Sequence, residues 1–191
     1  MINPIWMILG NNWFGWLKII LRFLFLLFDY RIIIADAFGD YHLVCPTMLF
    51  GEYFSRGLNS SINTFYSYRL ILPLSNGPLS CKGWEGVCHA EDIIYLFHVP
   101  MDPHTYTKQE IQLSNDMIYS WTKFAWTGHP NSLKNLDDNQ TVEWMEAINQ
   151  KHKSESVSFM SLDSNHYQMI TNFFQTKCDQ FWKPILFKEL K

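Results

Sequence analysis

The run Trp84-Glu85-Gly86-Val87-Cys88-His89-Ala90-Glu91-Asp92, followed by the mostly apolar Ile93 to Val99 and by Pro100, constrains this chain more than any other stretch. A Trp-x-Gly turn delivers one histidine to an acidic and then apolar start of a strand or helix. A histidine on a short glycine-containing loop with apolar residues on both sides is the usual presentation of a general base that faces a nucleophile. His89 is therefore the residue to explain. No Gly-x-Ser-x-Gly elbow occurs anywhere in the 191 residues, so the nucleophile such a base serves is not among them. The chain reads as part of an enzyme.

The remaining pattern alternates strands and helices. From Ile62 to Leu70, Ile62, Thr64, Tyr66 and Tyr68 fall on one side and Asn63, Phe65, Ser67 and Arg69 on the other, the period of a strand. Pro73 to Gly83 gathers structure breakers around Asn76 and reads as the loop that brings the chain to His89. Thr107 and Glu110 stand three apart, as a capping box requires, and predict a helix running to about Thr127. Its apolar stripe is Ile111, Ile118, Trp121 and Ala125, widened by Met117 and Phe124, with Gly128 and Pro130 as the stop. Val157 to Leu162 predicts a short, partly exposed strand, and Ile170, Phe173, Phe174, Cys178 and Phe181 predict a final helix over roughly Tyr167 to Trp182. This order favours an α/β architecture.

A hydrophobic content of 48% supports a packed core and argues against disorder. The formal charge of -3, with scattered basic residues, provides no footprint for nucleic acid. Four cysteines, Cys45, Cys81, Cys88 and Cys178, form no C-x-x-C pair, which speaks against a zinc ribbon or a dithiol redox motif. His98, Asp102 and His104 match no closed zinc pattern, and Pro100 and Pro103 place them on an ordinary loop. No metal and no cofactor is expected. Two sequons, at Asn59 and Asn139, are candidate glycosylation sites in a secreted chain.

The first 34 residues differ in composition from residues 35–191. Ile19 to Phe28 is apolar apart from Arg22, short for a membrane span of about 20 residues. Ala35-Asp36-Ala37 has the small-x-small form of a signal-peptidase site, although Asp29 and Arg31 intervene. A signal or anchor, a buried core segment, and a stretch foreign to the fold that follows are the three readings of this segment. Membrane association, if any, would run through residues 19–28.

Several separated pieces, in one order, resemble the C-terminal portion of the type-B carboxylesterase and cholinesterase family. They are Phe38-Gly39-Asp40 with Val44-Cys45-Pro46, Tyr66-x-Tyr68, Trp84-x-Gly86-Val87-x-His89-x-x-Asp92, and Phe97-x-x-Pro100. Tyr106-Thr107-x-x-Glu110, Trp121-x-x-Phe124-Ala125-x-Thr127-Gly128-x-Pro130-Asn131 and Cys178-x-x-Phe181-Trp182 follow. The resemblance implies the C-terminal part of an α/β-hydrolase fold, an incomplete sheet with flanking helices, and a Ser, Glu, His triad in which His89 matches the base. It also implies a Cys45–Cys178 disulfide, hence an oxidising, secreted or extracellular membrane-associated setting. For Cys81 and Cys88 a local disulfide and free thiols both stay open. A Cys88-His89 dyad is disfavoured because adjacent side chains seldom reach each other productively.

Two departures stand out: the family commonly has glycine where Ala90 stands, and glutamate where Asp92 stands. The implied function is the histidine-bearing end of a carboxylic-ester hydrolase, acting on a small ester and inactive alone because the serine and the triad acid are absent. The alternative is a non-catalytic, cholinesterase-like adhesion or binding protein, or a degenerate gene product. An α/β-hydrolase sheet without its upstream strands would leave an apolar edge open and seek a partner, which includes a second copy of itself.

Overall fold

A computed structural model of the chain describes residues 30–56, 64–77, 79–81, 83–97, 100–148, 157–171 and 176–188. The apolar segment 19–28 and Asn59 lie outside the described residues, as do Ile62, Asn63 and His98. The chain divides into two compact units, Met1–Gly39 and Asp40–Lys191. In the first, α1 (Tyr30–Gly39) has no buried residue.

The second unit opens with one π-helical turn, Asp40–Val44, and continues into α2 (Cys45–Arg56). Pro46 comes just after the π-helical turn, so its missing amide falls where the regular i→i−4 ladder is already interrupted. Cys45 and Leu49 face inward at helical spacing. Gly51 is required where α2 meets the Phe65 ring, since a Cβ at this position would overlap the ring atoms. By length and composition Tyr30–Ser55 could cross a membrane. Its Cys45 and Asp40 are instead committed inside the protein, by a disulfide to Cys178 and by a 3.0 Å ion pair with Lys177.

β1 (Tyr68–Leu70) follows, then the loop region, a 3-10 turn at Gly83–Glu85, α3 (Glu91–Phe97) and α4 (Lys108–Thr127). The capping box forms as predicted: Glu110 N donates to Thr107 Oγ1, and Thr107 N donates to Glu110 Oε2 at 2.6 Å. Gly128 ends α4 in the left-handed conformation at φ 75°, its amide bonded to Phe124 O.

The buried stripe of α4 differs from the predicted one. Glu110, Leu113, Ser114, Met117 and Ser120 are buried, whereas Ala125 and Phe124 are exposed. The cause is hydrogen bonding that lets polar residues go inside: the Ser114 hydroxyl donates to Tyr95 O and the Ser120 hydroxyl to Asp116 O.

β2 (Leu133–Lys134) and β3 (Thr141–Val142) form a short antiparallel hairpin. β4 (Ser158–Leu162) pairs parallel with β1, Tyr68 opposite Met160, and antiparallel with β5 (Gln168–Thr171). β4 is thus central and more buried than the predicted half-exposed strand. Met160 and Leu162 pack into the main core with Leu74, Tyr95, Leu113, Met117 and Tyr167, while Phe159 packs on the opposite face against Cys45 and Cys178.

The predicted helix over Tyr167 to Trp182 is a strand at its start. The Asp163-Ser164-Asn165 turn, closed by Asn165 N on Asp163 Oδ1, folds the chain back so that Gln168–Thr171 pairs with β4. Among the described residues, helical geometry is found in the π-helical Thr176–Trp182 and continues in α5 (Lys183–Lys188); Phe173 and Phe174 lie outside them. Ile170 and Cys178 share a period compatible with one helix, and strand pairing overrides it.

Candidate functional site

The parallel crossover from β1 to β4 carries the site. Among the described residues after Leu70 the backbone runs irregularly, turns through Gly83–Glu85, and reverses at Gly86, whose φ of 63° suits glycine. Cys88, His89 and Ala90 complete the bend, and α3 starts at Glu91. His89 is exposed and its imidazole makes no hydrogen bond among the described residues. Ala90 sits at φ 74°, a left-handed conformation that costs a residue with a Cβ about 1–2 kcal/mol.

Three fixings hold this bend. The Cys81–Cys88 disulfide, with Cα atoms 5.8 Å apart, closes the loop in front of His89. Of the two states left open for this pair by the sequence, the structure contains the disulfide. Glu91, fully buried, accepts the backbone amides of Leu74 at 3.0 Å, Cys81 at 2.9 Å and Cys88 at 3.2 Å. Asp92 accepts from the Tyr68 hydroxyl at 2.8 Å, tying the first turn of α3 to β1. Sequence reasoning missed Glu91. Its signal, an acid two residues after His89 at a helix start, is indistinguishable in sequence from an ordinary exposed first-turn acid.

Tyr68 forms one wall of a cavity of about 130 Å³ lined by Tyr66, Tyr68, Ser120, Trp121, Phe124, Pro130 and Trp144. Its ring meets that of Trp121 edge-on at 4.9 Å, and Trp121 meets Trp144 at 5.7 Å. Burial, then the hydrogen bond and charge of Asp92, push the Tyr68 phenol well above the ordinary tyrosine range, so it stays a proton donor. The Tyr66 hydroxyl lies 2.7 Å from His129 Nδ1.

A second carboxylate anchors the loop from the other side. Glu110 accepts from the Ser75 amide and from the Ser75 hydroxyl at 2.9 Å, as well as from Thr107. Burial raises its pKa, but the bonds from Ser75 and Thr107 outweigh burial and hold the carboxyl below the usual range.

The other candidate residues separate clearly. Cys45 and Cys178 form the disulfide that the resemblance implied, their Cα atoms 5.1 Å apart. Asp102 caps its own turn by accepting from His104 N and the Thr105 hydroxyl. The Sγ atoms of Cys81 and Cys88 and a Glu91 oxygen lie within 4.8 Å of one another, a set with metal-ligand chemistry, but both sulfurs are spent in the disulfide. Asn139 is exposed at φ 58° in the β2–β3 connection.

The chain is 26% identical to a cholinesterase of Mus musculus over 163 residues, 85% of this chain and 24% of that protein. It is 31% identical to an acetylcholinesterase of Gallus gallus over 97 residues, half of this chain and 12% of the other. It is 35% identical to an acetylcholinesterase of Bungarus fasciatus over 96 residues, half of this chain and 15% of the other. The chain thus spans a quarter or less of these relatives. The small sheet β1-β4-β5 with its helices is part of an α/β-hydrolase architecture. Residues 29–182 match the carboxylesterase family, and the chain belongs to it.

Proposed function

We propose that His89 is the general base of a carboxylic-ester hydrolase, and that this chain contributes the base-bearing C-terminal portion of it. The observation that carries this reading is an exposed imidazole without a partner among the described residues, displayed on a loop fixed by a disulfide and a buried carboxylate. In the reaction, the imidazole accepts the proton of a serine hydroxyl as the oxygen attacks the ester carbonyl, and then gives it to the departing alcohol. The serine and the triad acid come from residues outside this chain, since no Gly-x-Ser-x-Gly lies within it. By itself the chain is inactive.

The substrate is a small-molecule carboxylic ester. The two disulfides fit an oxidising compartment, and we place the protein outside the cell, secreted or held at the membrane through residues 19–28. Asn139, exposed in the hairpin connection, and Asn59 are the glycan acceptors. The open edge of β1 is met by further strands of the hydrolase sheet or by a second copy of the chain.

The test is hydrolysis of acetylthiocholine and of a short aliphatic ester by the product of the longest transcript containing this sequence, with and without His89→Gln. Removing a triad member from a serine hydrolase costs about 10⁴ to 10⁶ in turnover. A drop of that order supports the reading. An upstream elbow without its serine, or unchanged turnover in the variant, overturns it; the former favours a non-catalytic binding protein.

A further inference from the structure

Glu91 is the most deeply committed ionisable group near His89, and the reaction has no use for it as an acid or base. It is fully buried, and three backbone amides converge on its carboxylate. Those amides come from three points of one loop: Leu74 where the loop leaves β1, Cys81 at its middle, and Cys88 immediately before His89. Oε1 takes Cys81 and Cys88 together, and Oε2 takes Leu74. The Cys81–Cys88 disulfide ties two of these donors covalently. From the other side of His89, the helix start is set by Glu91 N donating to Cys88 O and Ile93 N to Ala90 O.

We propose that Glu91 is the positioning residue of His89, and that together with the Cys81–Cys88 disulfide it forms one clasp which keeps the imidazole-bearing bend rigid. This rests on the reading of His89 as the base. Each half of the clasp does a different job. The disulfide fixes the distance between the ends of a short loop but leaves its backbone free to pivot. The carboxylate fixes orientation, because a single oxygen shared by the Cys81 and Cys88 amides forces both peptide planes to face the same point.

The Glu91 carboxylate and both sulfurs lie within 4.8 Å of one another, so carboxylate and disulfide act on the same bend.

A base must be held within a few tenths of an ångström of its working position, and loose support is a common route to a site that is present but slow. Among the described residues the exposed imidazole has no hydrogen-bond partner, so within them its order comes from the backbone on either side, which is where Glu91 acts.

The test is amide relaxation on the isotopically labelled full chain, comparing residues 81–90 in the wild type, in Glu91→Gln, and in the Cys81→Ser/Cys88→Ser double variant. A glutamine has one oxygen where the carboxylate has two, so it can serve the Cys81 and Cys88 amides or the Leu74 amide but not all three, and its NH₂ faces a donor on the other side. In the wild type the His89 order parameter should be near the rigid value of about 0.85, and in Glu91→Gln it should fall below about 0.6. The double variant, which leaves the three amide bonds in place, should keep more order at His89 than Glu91→Gln does. A Glu91→Gln chain that is folded by its remaining signals and shows wild-type order at His89 overturns the proposal. A double variant that is looser at His89 than Glu91→Gln also overturns it, by giving the disulfide the leading role. If Glu91→Gln does not fold, Glu91→Asp takes its place: an order parameter at His89 below the wild-type value is expected, and wild-type order overturns the proposal. The readout needs no turnover, so failure of the hydrolase reading in the ester assay is separate from failure here.

Discussion

The Tyr68 hydroxyl donates to Asp92 Oδ2 at 2.8 Å, joining the aromatic wall of the cavity to the first turn of α3, three residues from His89. A hydrogen bond to a charged acceptor contributes about 1.5–3 kcal/mol when buried, and this one is partly solvated. Tyr68→Phe should keep the edge-on packing with Trp121 and lose about 1 kcal/mol. Urea unfolding measures this, and a midpoint equal to the wild type would show that water replaces the bond without loss.

Alkaline pH should unfold the protein through its phenols. Burial is the leading cause that raises Tyr66, Tyr68, Tyr95 and Tyr167, with nearby carboxylates adding to it. A raised phenol is neutral in the fold and ionises more readily in the unfolded chain. Its contribution is therefore complete below the unfolded value of about pH 10 and is lost as pH rises above it. Absorbance at 295 nm should show these four phenols ionising only together with loss of near-ultraviolet circular dichroism.

Glu110 sets the acid side with the opposite sign. Its carboxyl is lowered because the bonds from Ser75 and Thr107 outweigh burial. The stability it contributes is present above the unfolded value of about 4.3 and is lost as pH falls through the folded value. Glu110→Gln should cost about 1–3 kcal/mol at pH 7, since one oxygen replaces two and the NH₂ group then faces either the Ser75 or the Thr107 donor. The penalty should shrink toward pH 3, and chemical denaturation at a series of pH values would show it.

The two disulfides should differ in weight. Cys45 and Cys178 are 133 residues apart and buried, whereas Cys81 and Cys88 are 7 apart. On the chain-entropy argument the first constrains the unfolded chain by about 5 kcal/mol and the second by about 2.5 kcal/mol. Cys45→Ser with Cys178→Ser should approach the whole stability of a small domain, about 5–15 kcal/mol, and abolish cooperative melting. The Cys81→Ser/Cys88→Ser variant should melt cooperatively at a lower temperature.

What was legible in the sequence was local. Thr107 and Glu110 announce the start of α4 because the capping box is a three-residue relationship, and Gly128 announces its end because only a left-handed residue fits there. The pairing of Cys45 with Cys178 came from resemblance to a family, and no spacing rule would have chosen it. What was illegible depends on partners distant in the chain. Ser114 goes inside because Tyr95 O waits for it, Gln168 begins a strand because β4 offers an open edge, and Glu91 is buried because the loop folds three amides onto it. Each of these residues would be assigned to the surface, or to the wrong element, on its own character.

Ala90 offers the sharpest test of the histidine loop, because sequence and geometry disagree about it. The family commonly carries glycine at this position, and the backbone here, at φ 74°, is one that glycine adopts freely and alanine resists. Relieving the Cβ strain is worth about 1–2 kcal/mol, while the extra freedom of glycine in the unfolded chain takes back about 0.5–1 kcal/mol. Ala90→Gly should therefore stabilise the protein by about 0.5–1 kcal/mol, raising the urea midpoint without changing the slope. The alternative is that alanine distorts the bend to suit itself, in which case glycine loosens it and the midpoint falls. A rise in the midpoint would mean that the bend beside His89 is imposed by its surroundings, by the amides held on Glu91 and the disulfide between Cys81 and Cys88, and that Ala90 merely endures it.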